Sequence, residues 1–132
     1  MDKSKETLKL GLSILAGLVG YATIGSLGLY LLKACWTEYA KSSIDKSYTL
    51  EMLLSRLFVA TIAAITAGIL TTKTSKRQGK SIWFVAITIF SIAAYIHFFR
   101  VWTDYPIWYH LTYLLSIIPI IKLINYYLTE KD

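Results

Sequence analysis

The sequence lacks the features that would build a disulfide scaffold or a water-soluble domain. Its 132 residues include one cysteine, Cys35, so no disulfide can form within the chain. Only 17% of the residues are charged and 55% are hydrophobic, whereas a soluble domain of this size needs a larger polar surface. Residues 10–32 contain no Asp, Glu, Lys, Arg or His, and residues 81–99 contain only His97. Such runs match the ~20 residues that cross a hydrocarbon core, which predicts an integral membrane protein.

Acidic residues are also scarce. Eight acidic residues face 14 basic ones, for a net charge of +6. The basic residues lie at the ends of the apolar runs, where they set topology and contact lipid headgroups. No nucleic-acid recognition module accompanies the charge. We therefore predict the lipid bilayer as a partner and no nucleic acid.

Four apolar segments organise the chain. Because backbone groups in lipid must be satisfied within each segment, we expect helices at about 8–33, 50–72, 81–101 and 106–128. The runs are uniformly apolar and do not alternate, which argues against a β-barrel. The predicted fold is all-α, an integral membrane four-helix bundle with short loops that forms a single domain over residues 1–132.

The distribution of lysine and arginine predicts the orientation. Lys3, Lys5 and Lys9 precede the first segment, and the connection 73–80 (KTSKRQGK) carries only positive charge. An even number of crossings puts these residues and the carboxyl terminus on one side. Since positive loops stay in the cytoplasm, we expect a multi-pass protein of the bacterial inner membrane with both termini inside and the connection 102–105 outside.

Small residues recur at helical spacing in the first two segments and predict that these helices pack together. They are Ser13, Gly17, Gly20 and Gly28 in the first, and Ala60, Ala64, Ala67 and Thr71 in the second. Arg56 lies one turn before Ala60 on the same face. A guanidinium inside the bundle needs an acceptor, and we expect Glu51, Asp104 or a loop carbonyl to supply it.

The stretch HFFRVWTDYPIWYH, residues 97–110, holds the densest polar cluster. Together with the start of the second segment it brings six ionisable residues to the predicted outer face: Glu51, Arg56, His97, Arg100, Asp104 and His110. Their arginines suit anion binding and their histidines suit proton exchange, so one hypothesis is a ligand or proton site. The other is an interfacial girdle, since Trp and Tyr favour the headgroup level. The spacing matches no strong metal motif, so we predict no metal and no cofactor.

The run Tyr105-Pro106-Ile107-Trp108-Tyr109, with Pro119 following, resembles the last helix of a group of small uncharacterised bacterial four-helix membrane proteins. The similarity covers about the last third of the chain. It implies a four-helix membrane fold and no particular reaction. Pro119 removes one helical hydrogen bond, which predicts a bend in the last helix.

Three functions are compatible with these features. The first is a non-enzymatic interaction or accessory component, acting with lipid and with a homo-oligomer or a membrane-protein partner. The second is a small transporter or channel with an outer anion or proton site, which requires the polar side chains to share a cavity continuous with Pro119. The third is a membrane enzyme that acts on a lipid or quinone with a histidine as base.

Overall fold

The computed structural model describes residues 2–75 and 79–130, and their regular structure consists of five helices. These are α1 (Lys3–Cys35), α2 (Thr37–Asp45), α3 (Leu50–Ser75), α4 (Gly79–Phe99) and α5 (Ile107–Glu130). The helices α1, α3, α4 and α5 are long and apolar enough to cross a membrane. The predicted all-helical class and the four long apolar helices are therefore confirmed for the described part of the chain.

The short helix α2 was not predicted, because its segment is polar and only nine residues long. It is separated from α1 by the extended backbone of Trp36, and it ends at Lys46, whose φ of 62° is left-handed. The following turn is held by Asp45, whose Oδ1 accepts hydrogen bonds from the hydroxyl and amide of Ser47. These bonds lower the pKa of the Asp45 carboxyl.

The four long helices pack in a ring in the order α1, α3, α5, α4, and α1 contacts α4 less extensively than it contacts α3. The core is built from buried residues of α3, α4 and α5, including Ala67, Val85 and Ile117. We call the end of the bundle that carries α2 and the turn between α4 and α5 the α2 end. The opposite end carries the basic connection 73–80, of which residues 76–78 lie outside the described residues.

The predicted packing of α1 on α3 is confirmed by the surroundings of three glycines. A Cβ atom at Gly17 would collide with Thr71, and one at Gly20 would collide with Leu70. A Cβ atom at Gly28 would lie 2.5 Å from Cγ1 of Val59. Glycine is favoured at these positions because α1 and α3 approach closely between residues 17 and 28 of α1.

Helix α1 follows α3 rather than α4, so α1 and α4 are close only near the opposite end. There the hydroxyls of Ser13 and Ser81 are hydrogen bonded at 2.8 Å, and Gly17 lies against Val85. Beyond Gly17 the two helices leave a groove between them on the surface of the bundle, which we call the α1–α4 groove.

Candidate functional site

Arg56 is the centre of a cluster of aromatic hydroxyls at the α2 end. Its Nε donates a hydrogen bond to the hydroxyl of Tyr109 at 3.2 Å, and its Nη1 donates one to Tyr39 at 2.6 Å. The guanidinium carbon lies 5.4 Å from the ring centroid of Tyr48 and 5.0 Å from that of Tyr105. We call these four tyrosines with Arg56 the tyrosine clasp.

The clasp joins five parts of the chain, since Arg56 itself comes from α3. Tyr39 comes from α2, Tyr48 from the connection to α3, Tyr105 from the turn after α4, and Tyr109 from the first turn of α5. The rings of Tyr48 and Tyr105 also stack, with centroids 5.2 Å apart. Through Arg56, one helical side chain therefore fixes both connections at this end of the bundle.

Two of the three clasp tyrosines outside the long helices, Tyr39 and Tyr105, stay protonated at neutral pH. Burial raises the pKa of Tyr39 and of Tyr105, although the positive charge of Arg56 acts in the opposite direction in both cases. Neutral hydroxyls can still accept hydrogen bonds from the guanidinium.

The expectation that Glu51, Asp104 or a loop carbonyl would accept from Arg56 is wrong. Its hydrogen bonds within the described residues run to tyrosine hydroxyls. Tyrosines satisfy a guanidinium in an apolar setting with both an oxygen acceptor and a π face, and they add no second charge that would need desolvation.

His97 and His110 form a second polar unit, the histidine pair. Their Nδ1 atoms are 2.7 Å apart, and Nε2 of His110 lies 3.0 Å from the carbonyl oxygen of Trp102. Both side chains are buried, and the Trp102 ring stacks on His110 with centroids 4.7 Å apart. The pair thus ties the end of α4 to α5 and to the turn between them.

When both rings are neutral, the hydrogen bonds of the pair fix the tautomer of each ring. A carbonyl oxygen only accepts, so Nε2 of His110 carries the proton and its Nδ1 is the acceptor. Nδ1 of His97 must then donate to His110. Nε2 of His97 is then a lone-pair acceptor, and the only side-chain hydrogen bond of His97 within the described residues runs through its Nδ1.

Two cavities meet at a pair of tyrosines in the centre of the bundle. The hydroxyls of Tyr21 and Tyr113 are 2.7 Å apart, and both side chains line both cavities. The smaller cavity, about 50 Å³, is also lined by Arg56 and Tyr109. The larger is the α1–α4 groove, about 400 Å³, which His97 lines at the α2 end.

The structure brings three of the six predicted site residues into the bundle. His97 and His110 contact each other, while Arg56 is half-buried and belongs to the tyrosine clasp. Arg56 and His97 line different cavities, separated by the Tyr21–Tyr113 pair.

The other three predicted site residues lie outside these contacts. Glu51 is exposed in the first turn of α3, and Asp104 is half-buried in the turn before α5. Arg100 is exposed, and α4 ends at Phe99 rather than at the predicted residue 101. Asp104 therefore lies outside the helix that carries His97.

Sequence reasoning missed three residues of this region: Tyr21, Tyr39 and Tyr48. Tyr21 could have been found, because it follows Ser13 and Gly17 at steps of four and so lies on the packed face of α1. Tyr39 and Tyr48 lie in a connection whose path depends on tertiary contacts, and their spacing gives no comparable signal.

Groups of three or more His, Cys, Asp or Glu side chains that could hold a metal ion do not occur among residues 2–75 and 79–130. Comparison of the chain with protein-family models, with curated protein sequences and with solved structures gives no match.

Proposed function

We propose that the protein is a non-enzymatic integral membrane protein that crosses the bacterial inner membrane four times and acts as an interaction or accessory component. Its partners are the lipid bilayer and either further copies of the chain or another membrane protein. The observation that carries this proposal is that the inward-facing ionisable groups at the α2 end are bonded to neighbouring tyrosines, to each other and to backbone.

The outward faces of the four long helices support membrane insertion. Each presents large apolar side chains that are more than half exposed, such as Leu15, Phe58, Ile92 and Leu115. Soluble monomers rarely expose contiguous apolar surface on this scale. Lipid chains would cover these faces without any change in the packing of the bundle.

In the tyrosine clasp and the histidine pair, the polar residues have a structural role. They close the α2 end by joining both connections to the helices, and this gives a small bundle a fixed external surface. A partner needs such a surface, because a mobile end would have to be ordered on binding.

The transporter alternative requires the polar side chains to share one cavity continuous with Pro119. Arg56 lines the smaller cavity and His97 the groove, whereas Pro119 is exposed on α5 and lines neither. Arg100 lies in a separate surface depression. This geometry favours the accessory role.

The single cysteine tests insertion and orientation directly. Cys35 is exposed at the end of α1, which is the α2 end. With both termini inside, a membrane-impermeant maleimide applied to spheroplasts should label Cys35 without lysis. The matched control, Cys35→Ser with Ser4→Cys near the amino terminus, should be labelled only after lysis. The reverse pattern would overturn the orientation, and loss of the chain from the membrane fraction would overturn insertion.

A flux assay separates the accessory role from transport. Proteoliposomes containing the purified chain are loaded with a pH-sensitive dye or, in parallel, with a chloride-sensitive dye, and are compared with empty liposomes between pH 5 and 8, where histidine changes charge. We expect proton and chloride fluxes equal to those of empty liposomes. Flux above that level, lost in a variant with His97, Arg100 and His110 replaced, would overturn the accessory role in favour of transport.

A further inference from the structure

We propose that the α1–α4 groove binds an uncharged, single-chain amphiphile whose polar end is a ring bearing a hydroxyl, as in a hydroquinone with an isoprenoid tail. The inference rests on the proposed membrane insertion, because the groove would then open into the lipid. It adds a ligand to the accessory role and requires no chemical step.

The shape of the groove fits a ligand that enters from the side. Its volume of about 400 Å³ lies within the range of small-molecule sites. Ile92 and Ile96 line it and are exposed, so it opens on the flank of the bundle. It closes toward the opposite end, where α1 meets α4 at Gly17 and Val85.

The groove has one polar end and is otherwise apolar, which matches the two parts of an amphiphile. His97 lies two residues before the end of α4, whereas Leu18 and Ile89 line the groove nearer the middle of their helices. A ligand with its polar end at His97 would point its tail toward the middle of the bundle. In the proposed orientation this is the direction of a lipid in the outer leaflet.

The polar end of the groove calls for a hydrogen-bond donor. Nε2 of His97 is a lone-pair acceptor, because the other nitrogen of the ring donates to His110. An acceptor at the end of an apolar groove is satisfied by a hydroxyl that arrives with the ligand. The polar groups that line the groove are His97, Tyr21 and Tyr113, none of which carries a fixed charge, and this favours an uncharged ligand.

The tyrosine pair supplies the complementary donor. Tyr21 and Tyr113 share one hydroxyl proton in their mutual bond, so the second proton is free to bond elsewhere. A ligand with a hydroxyl and a nearby acceptor oxygen could therefore engage both His97 and this pair. All three lining side chains carry rings, and those of His97 and Tyr113 lie with centroids 4.5 Å apart. Ring faces favour an aromatic polar end over an aliphatic alcohol.

The test uses the full chain in lipid nanodiscs with three probes of similar length. These are decylhydroquinone, its dimethyl ether, which lacks both hydroxyl protons, and a long-chain aliphatic alcohol. Binding is followed by equilibrium titration and by NMR of protein labelled with ¹⁵N-histidine. The chain has only two histidines, so the resonance of Nε2 of His97 can be assigned with one variant.

We expect saturable binding of the hydroquinone, a shift of the His97 Nε2 resonance, and at least tenfold weaker binding of the ether and of the alcohol. Ala22→Leu adds volume on the α1 wall and leaves the histidine pair intact, so it should weaken binding at least tenfold. Thr23→Leu, on the neighbouring exposed position that does not line the groove, should bind as the wild type does.

Several results would overturn the inference. Equal binding of the hydroquinone and its ether would remove the role of His97 as acceptor, and equal binding of the alcohol would remove the requirement for a ring. Absence of saturable binding, or an unshifted Nε2 resonance, would remove the site. Disulfide-linked dimers formed through Ala22→Cys in a Cys35→Ser background would assign the groove to a second copy. If Cys35 labelling succeeds while hydroquinone binding fails, the proposed function stands and this inference alone fails.

Discussion

Arg56 shows how a half-buried cation can be held without a carboxylate. Two tyrosine hydroxyls accept its hydrogen bonds, and two further tyrosine rings lie within 5.4 Å of the guanidinium carbon. The arrangement depends on the planar fork of arginine, which can donate to two acceptors while it stacks on rings. A lysine ammonium of the same charge lacks this geometry.

Arg56→Lys should therefore destabilise the bundle. The variant loses at least one hydrogen bond from a charged donor, worth about 1.5–3 kcal/mol, in addition to the stacking on Tyr48 and Tyr105. The measurement is the free energy of unfolding by SDS titration in mixed micelles. Arg100→Lys is the control, since Arg100 is exposed, and it should change stability by less than about 0.5 kcal/mol. Equal effects of the two substitutions would contradict the structural importance of the clasp.

Two adjacent threonines of α3 differ in whether their hydroxyls are hydrogen bonded. The hydroxyl of Thr71 is buried and finds no hydrogen-bond partner in the described part of the chain. The hydroxyl of Thr72 accepts from Nδ2 of Asn125 at 3.0 Å. The Thr71 hydroxyl therefore destabilises the folded state, whereas the Thr72 hydroxyl stabilises it.

Thr71→Val should raise the free energy of unfolding by about 1 kcal/mol, because it removes an unsatisfied polar group and keeps the shape of the side chain. Thr72→Val should lower it by about 1–3 kcal/mol, because the Asn125 amide loses its partner. The same SDS titration measures both. A loss of stability in both variants would show that the Thr71 hydroxyl has a partner in the folded protein.

At the scale of the element, the small residues of α1 determine which helix it packs against. Gly17, Gly20 and Gly28 all lie against α3, and each leaves room for a side chain of that helix. This interface was predictable, because spacing in a helix fixes which residues share a face. The path of α2 was not predictable, because a short and mostly polar segment of nine residues can form a helix, a turn or a loop until Tyr39 is buried against Arg56 and Tyr48.

Gly17→Ala and Gly11→Ala should have opposite effects on stability. A Cβ atom at Gly17 meets Thr71 and lies 3.1 Å from Cγ1 of Val85, so overpacking should cost about 1–3 kcal/mol. A Cβ atom at Gly11 meets nothing within 4 Å, so alanine should gain up to about 1 kcal/mol from helix propensity. Thermal unfolding in detergent, followed by circular dichroism, measures both. Similar losses at both sites would mean that backbone flexibility rather than close packing decides the effect.

At the scale of the whole molecule, the groove exists because α1 follows α3 and diverges from α4. The Ser13–Ser81 contact holds α1 and α4 together near the opposite end, and the Tyr21–Tyr113 contact joins α1 to α5 across the ring. α1 and α4 therefore diverge because α1 packs along α3.

Cysteine pairs in a Cys35→Ser background should report this divergence. Ser13→Cys with Ser81→Cys should oxidise readily, because the two hydroxyl oxygens are 2.8 Å apart. Ala22→Cys with Ala93→Cys, on opposite walls of the groove, should form little intramolecular disulfide under the same mild oxidant. Gel mobility with and without reductant measures the yield. Equal yields would show that α1 and α4 run together along their whole length and that the groove closes.

The sequence by itself determined the helical class, the positions of the four long helices and the face that α1 presents to α3. These properties follow from the length and composition of the apolar runs and from helical periodicity, which are local. Tertiary structure decided the partners of Arg56, the separation of Arg56 from His97, and the exclusion of Arg100 and Glu51 from their contacts. Six ionisable residues at one predicted level could meet in many ways. Packing alone fixes the rotation of each helix about its axis and the residue at which α4 ends. As a result, three of the six ionisable residues lie inside the bundle.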